Sequence, residues 1–434
     1  VRKALKHAAP SQPQYLAQCV DLQAQNAFFA FYVTSKCWDF LKPYYHPAES
    51  PDHLTLAIEA VSLAFLWHQV YSNVALAKAR ERYVSALRMT NKALRSFDGP
   101  VKHTVLLASL VLDLFEKITD SEPRSKAWTS HIDGALALIR LKGLDRFQDP
   151  SERHIMLRAI SHYIVNCVAN GSSVPNELIA NRKYVGKHFC VESPTWRLSD
   201  YMIEYANIRS EIQKDFWSND KSIDSINELD TSLEAFDYPP SWQYSTIFLE
   251  HKSDRVFDRY LHAYPDRHVS QARNFLRVIR ILLNESLIER YLASSTSDEL
   301  FTLIRVAQEN IEKLAEELCA SVPQYVDCYE AARERLPSTE KSKLYNKIHC
   351  GEPGASHSHT PDHQMDCYTV LFPLYVAGRC RTLPDMRSWV VKELHYIGRH
   401  FCIRNAELLA QTLEQETDVG PWEVYAMLGG YAFL

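Results

Sequence analysis

The stretch Gln271–Leu292, QARNFLRVIRILLNESLIERYL, decides the fold class. Its apolar residues Ala272, Phe275, Leu276, Ile279, Leu282, Leu283, Leu287 and Tyr291 recur at intervals of three and four. That is the period of an α-helix with one face against a core. The next stretch, ELFTLIRVAQENIEKLAEELC (299–319), repeats it: Leu300, Leu303, Ile304, Ala307, Ile311, Leu314 and Leu318 share a side, with acids and Lys313 opposite.

The same period runs back to the N-terminus. YLAQCVDLQAQNAFFAFYVTSKCWDFL (15–41) reads as one long helix ending before Pro43, and DHLTLAIEAVSLAFLWHQV (52–70) is apolar nearly all round, so it belongs at a centre. In ALAKARERYVSALRMTNKAL (75–94), Tyr83, Ala86 and Leu87 share a spacing with Ala93 and Leu94. No fixed-period self-similarity accompanies it, which argues against a regular solenoid. Strand-like alternation is nearly absent. The expected fold is all-α, an irregular array of roughly fifteen helices.

Breaks fall at FDGP (97–100), TDSEPRS (119–125), QDPS (148–151) and NGSSVPN (170–176), and 174–194 reads as irregular. Pro239-Pro240 cannot continue a helix, so EAFDYPPSWQYS (234–245) is the strongest boundary signal. It divides the chain into an N-terminal helical half, 1–238, and a C-terminal half, 239–434, expected to pack as one regulatory unit.

The bulk numbers narrow the function. A globule of 434 residues buries about 75% of its unfolded surface and needs no disulfide or metal staple. The net charge of −5 is the wrong sign for a nucleic-acid surface. The ten cysteines include no C-x-x-C pair, so they read as reduced thiols of an intracellular compartment. No apolar run reaches the ~18 residues of a membrane span, and TVLLASLVLDLF (104–115) reads as a buried helix.

Three stretches are candidates for chemistry. His349, Cys350, His357, His359, His363 and Cys367 are zinc-ligand types, but their spacing matches no structural zinc site, and a solvated loop is the plainer alternative. In AWTSHIDGALALIRLKG (127–143), Trp128 and His131 share a helical face and either line an effector cavity or form a core tryptophan with a hydrogen-bonded histidine. Gly134 inside that helix suggests close approach of another helix, and Lys142-Gly143 supplies its C-terminal cap. In PLYVAGRCRTLPDMRSW (373–389), Gly378 fits a left-handed cap, and Thr382 with Asp385 fits a capping box around Pro384. Arg379, Arg381 and Arg387 then cluster at the corner, with Trp389 entering the core. They are either solvated or, facing a cavity, suited to an acidic metabolite. The effector-pocket candidates are thus Trp128, His131, Arg379, Arg387 and Trp389.

Enzyme templates fail: there is no G-x-S-x-G, no phosphate-binding glycine loop, no H-E-x-x-H and no D-D-x-x-D. At Asn219 the diphosphate-binding rhythm of helical cyclases is broken by Ile223 and Asn227.

The stretch 371–414 as a whole resembles the C-terminal signature of the fungal-specific transcription factor domain of binuclear zinc-cluster regulators. The carrying residues are Pro373 to Gly378, Pro384-Asp385, Arg387-x-Trp389, and Leu394 through Ile397-Gly398. TSHIDGALALIRLKG (129–143) is similar to that family's central helix, and QNAFFAFYV (25–33) and FLRVIRILLNESL (275–287) also fit. The six-cysteine zinc cluster of the family does not occur in this chain. The resemblance implies a nuclear, non-enzymatic regulatory domain of an RNA polymerase II transcription factor. It also implies a small-molecule effector, coregulator proteins or a homodimer as partners. DNA, and zinc as the only cofactor, belong to a module upstream of this chain, and no membrane is involved. An interaction scaffold without a small-molecule site, or a helical enzyme with carboxylates around a cavity, are the alternatives.

Overall fold

The computed structural model describes residues 12–33, 38–45, 51–70, 72–95, 103–119, 127–143, 149–188, 193–214, 219–293, 298–326, 361–380, 382–417 and 419–428. The chain divides into two compact units, one whose described residues run through Lys142 and one from Gly143 onward.

The first unit holds α1 (Gln12–Phe28), α2 (His53–Val70), α3 (Asn73–Arg95), α4 (His103–Thr119) and α5 (Ala127–Lys142). Helix α2 packs against α1, α3 and α4, as its all-round apolar surface requires. Helix α4 is buried along most of its length, and its Asp113 and Lys117 pair with each other at 2.8 Å. The single helix expected over 15–41 ends at Phe28. A π-helical turn, Phe29–Val33, follows and turns Phe31, Tyr32 and Val33 inward together. Phe31 and Tyr32 meet the ring of Phe65 on α2. A 3-10 helix, Asp39–Tyr44, then contains Pro43 rather than stopping before it.

The second unit holds α6 (Pro150–Asn170), α7 (Asn176–Gly186), α8 (Pro194–Gln213), α9 (Asn219–Glu234), α10 (Arg267–Leu292), α11 (Asp298–Ser321) and the short α12 (Pro323–Val326). It continues with α13 (Pro361–Thr369), α14 (Leu371–Gly378), α15 (Pro384–His400), α16 (Arg404–Glu414) and α17 (Pro421–Met427). Helix α7 corrects the irregular reading of 174–194. Pro239-Pro240 lies inside this unit, between α9 and a 3-10 turn, Pro240–Trp242. Strands β1 (Ser245–Phe248) and β2 (Tyr260–Ala263) pair antiparallel, Ser245 opposite Ala263 and Phe248 opposite Tyr260. They form the one sheet among the described residues, so the all-α class holds.

Helix α10 is the axis of this unit. Asp266 caps it, its carboxylate accepting from the Val269 N–H at 2.8 Å. The eight residues of its expected apolar face are all buried. Another face carries Arg273, Arg277 and Arg280, also turned inward. Arg277 donates to Glu317 at 2.9 Å, to the Tyr264 hydroxyl at 2.7 Å and to Asn274 at 2.9 Å. Arg280 grips both Asp230 oxygens at 2.8 and 3.2 Å. The Arg273 guanidinium lies 3.6 Å from the centre of the Tyr238 ring. Helix α11 packs on α10 from Ala307 onward, whereas Leu303, expected on the same core face, is exposed.

Two glycines read differently in space. Gly134 is exposed, and a Cβ there would meet nothing within 4 Å, so it marks no close helix approach. Gly378 ends α14 in helical conformation, not as a left-handed cap; a Cβ there would stand 2.7 Å from Leu413 Cδ1 and 2.9 Å from Val390 Cγ1. It is a glycine because α15 and α16 leave no room. Gly143 does cap α5, with φ +79°.

These placements give opposite signs for one chemical change. Gly134→Ala removes a helix-interior glycine and stabilises by up to ~1 kcal/mol. Gly378→Ala overpacks and destabilises by about 1–3 kcal/mol. Urea unfolding of the two variants beside the parent measures both; equal signs would refute the packing assignments.

Candidate functional site

Three helices of the second unit enclose a cleft of about 180 Å³. The middle of α6 and the first turns of α8 and α10 form its walls. Its floor is buried and apolar: Ile164, Val165, Leu198, Met202, Ala272 and Phe275. Its half-buried or exposed mouth is polar: Arg158, Ser161, Thr195, Ser199, His268 and Gln271. No aspartate or glutamate is among these lining residues.

Each wall is held by identifiable interactions. Ser193 caps α8 by accepting from the Trp196 N–H, and Pro194 opens the helix. Arg182 of α7 clamps that first turn: its guanidinium lies 4.0 Å from the centre of the Trp196 ring and donates at 2.7 Å to both Trp196 O and Ser199 Oγ. It also pairs with Asp200. Further along α8, Arg209 donates to Ala169 O at 2.9 Å and to Val168 O, neutralising the carbonyl end of α6. Asn207 accepts the Val174 N–H at 2.9 Å. The third wall, α10, is fixed by its arginines. His268, at its start, has the Trp242 ring edge-on at 6.4 Å. The cleft is therefore a built cavity with a greasy floor and a polar rim, the usual arrangement of a small-ligand site.

Sequence reading did not find it. Each wall contributes a stripe (158, 161, 164/165; 195, 198, 202; 268, 271, 275) in which the first residue is polar and the later ones mainly apolar. A polar residue opening an otherwise core-facing stripe was the available signal.

The five sequence candidates lie elsewhere. Trp128 and His131 sit on α5 of the first unit, and their side chains lie outside the described residues. Arg379 and Arg387 belong to the α14–α15 corner, and Arg381 is not described. Arg379 pairs with Glu285 of α10 at 3.1 Å, and Arg387 donates to the Leu413 carbonyl at 2.6 Å, on the last turn of α16. Leu383, not Thr382, precedes the first turn of α15, without a side-chain cap, so the expected capping box does not form. Trp389 is half-buried, donates its Nε1–H to Asp254 O at 3.1 Å and meets the Phe257 ring edge-on at 5.8 Å.

That last contact belongs to a larger one. The loop between β1 and β2 docks on α15, where Arg255 lies 3.5 Å from the centre of the Tyr396 ring and reaches Glu393 at 2.9 Å. Glu393 is 1% exposed. Burial pushes its carboxyl up to about 7, against the pull of Arg255. On the same helix His395 lies between Glu407, 2.6 Å from Nδ1, and Glu414, 3.0 Å from Nε2. Burial opposes its charge, yet the two carboxylates raise its pKa above the ordinary histidine value.

Of the histidine and cysteine cluster, His349, Cys350, His357 and His359 lie outside the described residues. His363 and Cys367 sit one turn apart on α13, and both bond Tyr325 O, at 2.8 and 3.0 Å. Among the described residues no group of three or more potential ligands gathers, and no helix is long and apolar enough to cross a membrane. Asn219 serves as a tie, donating to Arg290 O at 3.0 Å.

Residues 28–227 match the family of the fungal specific transcription factor domain. The match spans 200 of the 434 residues, a similarity to a domain of transcription regulators over just under half of the chain. The match takes in α2–α8 and so two walls of the cleft, whereas the third, on α10, lies beyond it. Of the resembling stretches, 129–143 falls inside the match, 25–33 straddles its start, and 275–287 and 371–414 lie outside. No curated protein and no solved structure matches the chain.

The α15 groups make a pH prediction. Glu393 binds its proton more tightly folded than unfolded, so its penalty is absent below about pH 4.5 and grows as pH rises to about 7. His395 acts in the same direction: the stability it contributes is lost as pH rises through its elevated folded pKa. Glu393→Gln should therefore flatten the fall of the urea midpoint between pH 5 and 8, with a gain at pH 8 on the order of 3 kcal/mol. Superimposable profiles for variant and parent would contradict it.

Proposed function

We propose that this chain is the regulatory, effector-binding part of a fungal zinc-cluster transcription regulator, acting in the nucleus and catalysing no reaction. The α6–α8–α10 cleft carries this reading: it is enclosed by three helices and has an apolar floor, a polar mouth and no carboxylate in its lining. A helical enzyme working through metal and diphosphate would need carboxylates there. At about 180 Å³ the cleft is smaller than the ≈ 300–1,000 Å³ of drug-sized sites, so the effector is small.

The mechanism follows from the walls. An occupant touching α6, α8 and α10 together favours the arrangement in which they stand at bonding distance. Its differential affinity for that arrangement sets how far the population shifts. DNA recognition is left to a zinc-containing module outside this chain, in keeping with the net charge of −5.

A second reading, a protein-interaction scaffold, is favoured by the first half of α11, where Phe301, Leu303 and Val306 are 62%, 39% and 45% exposed. The same stretch supports the coregulator or homodimer contacts that the resemblance implies.

The test is a reporter assay in which the chain is fused to an unrelated DNA-binding module. The fusion should change reporter output relative to the module alone. Ala272→Phe, which fills the cleft, should lock that output at one level. An Ala272→Phe fusion that behaves like the parent under every growth condition would separate function from the cleft, and Phe301→Glu would then be the variant that fails.

A further inference from the structure

We infer that Arg273 anchors a second ligand site, one that takes a small carboxylate. The site lies on a face of α10 that the cleft does not use, and it stands whether or not the cleft binds an effector. The carrying observation is a permanent charge inside the unit with no opposite charge to meet it. Arg273 is 7% exposed. Its guanidinium carbon lies 3.6 Å from the centre of the Tyr238 ring and 4.7 Å from that of Tyr244. Among the described residues it makes no hydrogen bond and no ion pair, and its Nε–H is sealed from solvent without an acceptor. Such a group in a folded interior calls for an explanation.

The neighbouring carboxylates are already committed. Glu317 holds Arg277 at 2.9 Å, and Asp230 and Glu234 hold Arg280 at 2.8 and 3.5 Å. Helices α9 and α11 thus neutralise two of the three inward guanidiniums and leave the third. A guanidinium does not shed its proton in a protein, so the excess charge stays. Tyrosine rings attract a cation through their quadrupole, but they carry no net charge and accept none of its in-plane N–H bonds. An acceptor must therefore arrive at the edge of the group, from the side of Tyr238 and Tyr244, both half-buried. The shape of that edge selects the ligand. A carboxylate is planar and brings two oxygens to adjacent N–H groups in the guanidinium plane. A tetrahedral phosphate points further oxygens out of that plane, toward the rings. An amide of the same shape offers one acceptor and sets its own NH2 against the second donor.

The experiment titrates the whole chain with acetate and benzoate, each beside its amide, and with phosphate, at an ionic strength held constant with chloride. Thermal melts and isothermal titrations are the readouts. At least one of the two carboxylates should raise the melting temperature saturably, with its amide and phosphate at least tenfold weaker. Arg273→Met, which keeps an unbranched chain beside the rings and removes the charge, should abolish the shift. Should that variant not fold, Arg273→Lys, which keeps the charge and loses the planar fork, should weaken the carboxylate at least tenfold. A shift that survives undiminished in the variant would place the carboxylate elsewhere and overturn the inference. No saturable shift with either carboxylate would overturn it as well. Amide or phosphate binding as tightly as the carboxylates would contradict the assigned ligand class.

Discussion

Helix α10 cannot leave the interior of the second unit, or turn within it, without stranding three guanidinium groups. Arg273, Arg277 and Arg280 sit at i, i+4 and i+7 on one face, and each has its partner on a different element: a tyrosine after α9, Glu317 on α11 with Tyr264 beside β2, and Asp230 on α9. Burial alone would lower the pKa of Arg277; Tyr264 and Glu317 more than reverse this. Burial, helped by Arg277 and Arg273 and opposed by Glu317, pushes His262 down to about 4 and keeps it neutral. Breaking such a buried pair from one side costs about 3–5 kcal/mol, so the arginines fix the rotation and height of α10. Everything on its other faces inherits that precision, including Phe275 and Ala272 in the cleft and Glu285, which receives Arg379 from the α14–α15 corner.

The cleft combines a fixed wall with two walls held differently. Helix α8 is tied to the end of α6 through Arg209 and to the connection after it through Asn207, and is held at its start by Arg182. Those ties are hydrogen bonds and one ion pair to a half-exposed partner, Asp200, 55% exposed at its side chain, which are cheaper to rearrange than the buried arginines of α10. On the proposed function, a ligand between the stiff wall and the softer pair would report its presence by moving α8.

What was legible in the sequence was local. The apolar stripes of α10 and α2 stood at helical period, and the structure buries them as expected; Gly143 closes α5 as its neighbours suggested. What failed was whatever a distant residue decides. Gly378 looked like a left-handed cap, but its reason is Val390 and Leu413, and Gly134 looked like a packing notch where no neighbour stands. Leu303 fits the stripe of α11, yet the surface it would cover is not there. The buried arginines of α10 drew no notice in the sequence, because their partners Tyr264, Glu317 and Asp230 lie 13 to 50 residues away. The cleft failed to show for the same reason: its three stripes come from segments separated by α7 and by α9 with the hairpin, and each alone resembles core.

The account stands on α10 as the rigid element of its unit, and amide hydrogen exchange across the whole chain tests this directly. Amides of the central turns of α10, from Phe275 to Leu287, should be the slowest of the second unit and should exchange only through its global unfolding. Should they exchange as fast as those in the exposed first half of α11, the arginines do not anchor the helix, and the cleft has no fixed wall.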